Sequence, residues 1–311
     1  MQERTTTTTL ALAAAVGCGA LVAVQARVNG QLAQDLGDAL LAALVSFGTG
    51  LVAVLAAVLL RAPARAAWRR VRDVPWWTRL GGIGGATLVA IGAFATPRLG
   101  VALLTVALVA GQTTGGLAVD KAGLGPSGTH ALTGPRVAGA ALCLAAVLVS
   151  VLGKGAGDAN PALLLVTVGG GLLISLQQAL NGRVRRQTGD AAVTTLVNFL
   201  VGTAVLLAAY AVFSGWHVDR WPGPGQWWLY TGGVLGATFV AVAAVIVRTL
   251  GVLRMGLATV AGQLIGAIVL DLVTPAAAQG VTAGTLVGTA MTLLAVAVSG
   301  RPSRSAVPVT P

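Results

Sequence analysis

The stretch QARVNGQLAQDLGD, residues 25–38, closes an apolar run, and QQALNGRVRRQTGD, residues 177–190, closes another. Gln25, Asn29, Gly30, Gly37 and Asp38 match Gln177, Asn181, Gly182, Gly189 and Asp190 at a constant offset of 152. The correspondence extends outward. Trp76-Trp77 matches Trp227-Trp228 at an offset of 151, AGQTTG (110–115) matches AGQLIG (261–266), and Asp120 matches Asp271. A nearly constant offset over several apolar runs marks a duplicated unit.

The chain has 311 residues, 56% hydrophobic and 9% charged, where soluble domains carry about a quarter charged. Its apolar runs are roughly 20 residues long, the length that crosses a hydrocarbon core of about 30 Å. Ten spans are expected, near 10–30, 39–60, 76–96, 99–119, 135–152, 161–182, 191–213, 227–247, 250–271 and 280–299. The fold class is therefore all-α integral membrane, with ten transmembrane helices in two five-helix repeats: residues 1–155, then 156–300. The polar, Pro-containing end RPSRSAVPVTP, 301–311, reads as a disordered cytoplasmic tail. Residues 10–24 have the look of a signal segment, but Arg4 is the one basic residue before them, so they are read as a retained first helix.

Five is odd, so the second unit must enter the membrane from the opposite face. Charge agrees. With a cytoplasmic N-terminus, Arg4, Arg61, Arg65, Arg69, Arg70, Arg72, Arg79, Lys121, Arg136, Arg183, Arg185, Arg186, Arg248, Arg254, Arg301 and Arg304 lie inside, leaving Arg27, Arg98, Lys154 and Arg220 outside. That is the expected bias. Matching loops also exchange charge: five Arg follow the second span against Arg220 after the seventh, and Arg183, Arg185 and Arg186 follow the sixth against Arg27 after the first. The repeats are expected to be inverted, a common plan for secondary transporters.

Several classes are excluded by residue type. The net charge of +11 is spent on loops, with no basic run interleaved with aromatics, so nucleic acid is not an expected partner. No GxxxxGK[ST] motif occurs. Cys18 and Cys143 are isolated in apolar runs, and His130 and His217 stand alone in loops. Neither metal, cofactor nor catalytic constellation is expected, and the chain is not read as an enzyme.

The polar residues inside the spans are the candidate substrate contacts. Gln25 and Asn29 share a helix face, as do Gln177 and Asn181; they either line a polar cavity or, for the Asn-Gly pairs, cap a helix C-terminus. Gln112 and Gln263 sit in GxxxG frames, 111–115 and 262–266, as packing glue or substrate contacts. The frames 81–85 and 232–236 carry no amide and read as packing. Ser46-Phe47 and Asn198-Phe199 place a small polar group beside an aromatic at mid-span, suited to a pocket or to local packing. Asp38 and Asp190 read as N-caps. Asp120 and Asp271 end spans four and nine and read as gating or coupling acids paired with loop Arg, or as solvated interfacial acids. The Trp pairs suit interfacial anchors. No Asp, Glu or His lies near the centre of a span, so no proton relay is visible.

The sequence QxxxNG, GD, a mid-span SF, WW and GQ followed by Asp resembles the YdcZ-like inner-membrane proteins of the drug/metabolite transporter superfamily, related to its EamA-type members. The resemblance covers about residues 10–299 as a fused tandem version. It departs at Asn198 for Ser46 and at LRM 253–255, so the halves are not interchangeable. It implies a multi-pass protein of the bacterial plasma membrane with both termini cytoplasmic, working as monomer or homodimer. The expected function is secondary transport, as an exporter, of a small polar or amphipathic metabolite or drug. A non-transporting lipid-handling or scaffold protein is the alternative.

Overall fold

In a hydrocarbon core an unpaired backbone amide finds no water, so a chain this apolar is left with helices. The computed structural model describes residues 2–126, 128–129, 132–151, 160–214, 218, 220–273 and 281–299, and every regular element in them is helical. His130, His217, Lys154 and the expected tail 301–311 lie outside the described residues, as do the side chains of Arg4, Arg248 and Arg254. In chain order the helices are α1 (Gln2–Leu36), α2 (Ala39–Leu60), α3 (Ala62–Trp68), α4 (Gly81–Leu99), α5 (Val101–Lys121), α6 (Gly134–Val151), α7 (Pro161–Thr188), α8 (Ala191–Phe213), α9 (Gly232–Val273) and α10 (Ala283–Ser299). Among the described residues, seven helical stretches are long and apolar enough to cross a membrane, and Ala258–Val273 and Ala283–Val298 are shorter apolar helices. Leu60, Leu148, Leu165, Val212 and Phe213 stand exposed on the exterior, as a lipid-facing surface requires.

Two expectations need correction. First, Asn29-Gly30 and Asn181-Gly182 do not end helices: α1 runs on to Leu36 and α7 to Thr188. The terminators are Gly37 (φ 72°) and Gly189 (φ 76°), in the left-handed region that lacks a Cβ penalty. Asp38 and Asp190 follow directly as N-caps, Asp38 accepting from the Leu41 amide at 2.9 Å and Asp190 from Ala192 at 2.8 Å and Val193 at 3.2 Å. Second, the Arg-rich loop after α2 contains the short helix α3, with Ala64 and Ala67 buried. Between 247 and 250, where a break is expected, the backbone stays helical, and α9 runs as one element of 42 residues. Its two ends nevertheless meet the same stretch of α1: Gly236 abuts Gln25, whereas Gly262 and Gly266 abut Val16 and Ala20. A straight helix from 236 to 266 would span about 45 Å, so its path doubles back between Ile246 and Ala258. At the matching point of the first unit the chain breaks openly at Gly100 (φ 78°), just after Pro97.

The units pack by exchange. α1 lies mainly against α9, and α7 against α4 and α5, while α2 packs on α8 and α6 on α10. Glycines make these crossings close. Gly19 faces the backbone of Thr259 and Gln263, and its counterpart Gly171 faces that of Leu108 and Gln112. Gly262 faces the Val16 backbone, and Gly111 that of Val168. Helices so close gain dispersion contacts that lipid cannot match.

The two ends of the bundle differ in charge. At one, Arg61 pairs with Asp190 (3.4 Å), Arg70 donates to the Thr188 carbonyl, Arg183 to Gly123 and Leu124, Arg186 to Pro126, and Arg136 pairs with Asp120. At the other, Asp35 accepts from Gln226 (2.7 Å) and Asp38 from Ser214.

Candidate functional site

Two matching polar cradles sit where α1, α2, α4, α7, α8 and α9 converge. In one, Asn181 and Gln177 of α7 and Asn198 of α8 lie over the glycine face of α4. A Cβ built on Gly81 would stand 2.7 Å from Asn181 Oδ1; one on Gly85 would stand 2.8 Å from Gln177 Nε2 and 3.1 Å from Asn198 Oδ1. In the other, Asn29 and Gln25 of α1 and Ser46 of α2 lie over the glycine face of α9. There a Cβ on Gly232 would meet Asn29 Oδ1 and stand 2.9 Å from Ser46 Oγ, and one on Gly236 would stand 2.8 Å from Gln25 Nε2. Between the cradles Phe47 and Phe199 stack, centroids 4.9 Å apart and planes tilted 34°. Each ring fills the space above a glycine of the other unit, Phe47 over Gly202 and Phe199 over Gly50.

Eight of the twelve candidates thus meet in one place: Gln25, Asn29, Ser46, Phe47, Gln177, Asn181, Asn198 and Phe199. Asn29, Ser46, Phe47, Asn198 and Phe199 are buried in helix contacts, while Gln25, Gln177 and Asn181 are half-buried. Sequence reasoning missed the partners. The frames 81–85 and 232–236, read as packing without amides, are the surfaces on which the amides lie.

Gln112 and Gln263 stand at the α5–α7 and α9–α1 crossings, where the small residues of their GxxxG frames admit the neighbouring backbone. Ser175 of α7 donates to the Gln112 carbonyl at 2.6 Å. The acids differ from each other. Asp120 pairs with Arg136, both side chains about 30% exposed. Asp271 is buried and accepts from the amides of Val101 (3.0 Å) and Ala102 (2.8 Å), so it caps α5 from across the bundle. Gly100 admits it, since a Cβ there would lie 2.9 Å from Asp271 Oδ2. Among the described residues no group of His, Cys, Asp or Glu has the arrangement of a metal site.

An apolar cavity of about 260 Å³ opens between α2, α4 and α7, lined by Leu40, Ile91, Phe94, Leu163 and Val166 among others. Ile91 is six residues beyond Gly85 on α4, about 9 Å, and the exposed Phe94 and Val166 put its mouth on the lipid-facing surface.

A family model described as "Putative inner membrane exporter, YdcZ" matches this chain twice in tandem, over residues 10–149 and 162–298. The chain belongs to the YdcZ family. Each YdcZ match contains one QxxxNG motif and one glycine face, so each cradle is assembled from two family units, the amides from one and the glycines from the other. No curated protein matches the chain. A solved structure titled "Crystal structure of protein" is 19% identical, with a TM-score of 0.58 over 94% of this chain and 96% of that one, a likeness of fold. A YdcZ-family chain with these apolar helices is a multi-pass inner-membrane protein of the drug/metabolite transporter type.

Proposed function

We propose that the protein is a secondary exporter of a small polar or amphipathic molecule, working by alternating access between two inverted five-helix repeats, with both termini cytoplasmic. The observation that carries this reading is the exchange of partners at the cradles. Each unit offers its amides to the other unit's glycines, so one polar centre is enclosed by two equivalent seams, α1–α9 and α7–α4. Parting one seam exposes the centre to one side while the other stays sealed, and the equivalence gives two conformations of similar energy. Glycine backbones carry no rotamers to jam, so such a seam can close again to backbone contact. The lack of charge in the cradles suits neutral or zwitterionic cargo, because a lone charge there would go uncompensated.

Two experiments test it. In proteoliposomes, a metabolite and drug panel should yield a solute that the wild type moves. Gln25→Leu and Gln177→Leu, at half-buried positions, should each cut that flux at least tenfold while inserting normally. Wild-type flux in both would remove these amides from the pathway. For orientation, an impermeant maleimide should label Arg69→Cys and Arg186→Cys from the cytoplasmic face and Gln34→Cys from the other. Cys18 and Cys143 are buried and give little background. Labelling of Arg69→Cys and Arg186→Cys from opposite faces would end the inverted arrangement.

A further inference from the structure

The two cradles are built alike but finished differently. In one, Asn198 Nδ2 donates to Asn181 Oδ1 at 3.1 Å, so that acceptor is paired. The offset of 152 puts Ser46 where Asn198 stands, and a hydroxyl on one carbon lacks the reach of an amide. Asn29 Oδ1 and Ser46 Oγ are both sealed from solvent and both without a hydrogen-bond partner, on residues each 2% exposed. Both border the space that a side chain at Gly232 would occupy, Ser46 Oγ standing 2.9 Å from an ideal Cβ there. A buried polar atom left unpaired costs about 1–3 kcal/mol, and at this depth no bulk water competes to satisfy it. Two such atoms, in the half of the pair where one residue change would cure both, point to a use.

The geometry points to Asn29 Oδ1 and Ser46 Oγ as the atoms that take the polar group of the cargo, with the hydrogen-bonded Asn181 and Asn198 as a structural counterpart. Asn29 Oδ1 accepts, so the ligand brings an N–H or O–H; Ser46 Oγ both donates and accepts, so it also takes an adjoining oxygen. The cradle residues Gln25, Asn29, Ser46, Gly232, Gly233 and Gly236 carry no charge, which selects an uncharged group. The class is a primary amide or hydroxyl compound. The inference rests on the transport reading only for how a ligand reaches a closed site; binding is measured separately.

The full-length chain, purified in detergent, is heated with acetamide, nicotinamide and glycerol as uncharged donor–acceptor probes, and with acetate and tetramethylammonium as charged ones. A ligand that binds the folded state raises its Tm. At least one uncharged probe should raise the wild-type Tm, and the charged ones should not. Ser46→Asn supplies the missing donor to Asn29 Oδ1, so its ligand-free Tm should rise and its response to the probe vanish. Ser46→Ala removes one of the two contacts without filling the space and should weaken probe binding about tenfold, one hydrogen bond's worth. Gly48→Ala, where an added Cβ meets nothing within 4 Å, should keep the response. An unchanged probe response in Ser46→Asn and Ser46→Ala overturns the assignment, as does a wild type that answers to no uncharged probe. Flux equal in wild type and Ser46→Asn refutes this subsite and leaves transport standing; probe binding that depends on Ser46 in a chain moving no solute does the reverse.

Discussion

Gly233→Val and Gly82→Val are expected to abolish the folded protein. A Cβ on Gly233 would overlap the Ser46 carbonyl and the Gly50 amide, and one on Gly82 would overlap the Asn198 carbonyl and stand 2.8 Å from the Gly202 nitrogen. All four are helix backbone atoms, which cannot rotate aside as a side chain can. Overpacking that side chains absorb costs about 1–3 kcal/mol; here a whole helix has to withdraw, so the loss should reach or exceed that range. It also opens the α2–α9 or α4–α8 seam, where dispersion supplies the attraction that the hydrophobic effect does not supply in lipid. Fluorescence-detected size exclusion of tagged variants should show aggregate or no protein. Gly48→Ala is the control: nothing lies within 4 Å of its Cβ, and inside a helix alanine is favoured over glycine by about 0.5–1 kcal/mol. Monodisperse Gly233→Val with a wild-type Tm would show that the α2–α9 crossing is not close-packed.

What could be read without coordinates was the duplication, because polar residues are costly in lipid and recur where a structure needs them. The six polar residues of the two cradles were singled out for that reason, and Phe47 and Phe199 because each adjoins one of them. Their partners were not, because Gly81, Gly82, Gly232 and Gly233 carry no side chain and contribute only the absence of one. Their signal was present as two double glycines at an offset of 151. The Asn-Gly pairs misled in another way. Asn-Gly is a sound helix terminator locally, but Gln31, Leu32, Ala33 and Gln34 are good helix formers that carry α1 onward, and Gly37 supplies the positive φ that ends it. The two spans expected over 227–271 fit the reversal of α9 between Ile246 and Ala258, although the Pro97 that marks the matching break in the first unit has Arg at the corresponding offset, residue 248.

The acids show how tertiary structure reverses a local argument, and they set the second large effect. Asp271 lies at the end of α9, where a carboxylate opposes the dipole of its own helix. It faces the N-terminus of α5, where unpaired amides and a positive dipole end favour an anion. Asp271→Ala would strand the Val101 and Ala102 amides in a buried site, at about 1–3 kcal/mol each, and should lower stability by roughly 2–6 kcal/mol in sum. Asp271→Asn keeps one acceptor and should fall between. Asp120→Ala breaks a pair with Arg136 whose side chains are 30% and 28% exposed, a setting in which ion pairs contribute up to about 1 kcal/mol. Detergent melting should therefore rank Asp271→Ala well below Asp120→Ala, and hydrogen exchange at Val101 and Ala102 should quicken in the former alone. The rank carries mechanical meaning because the cap joins the end of α9 in the second unit to the Pro97–Gly100 break of the first. Any opening of that end has to stretch this bond. Equal melting of the two variants would mean that the break is held by packing instead, with Asp271 a passenger.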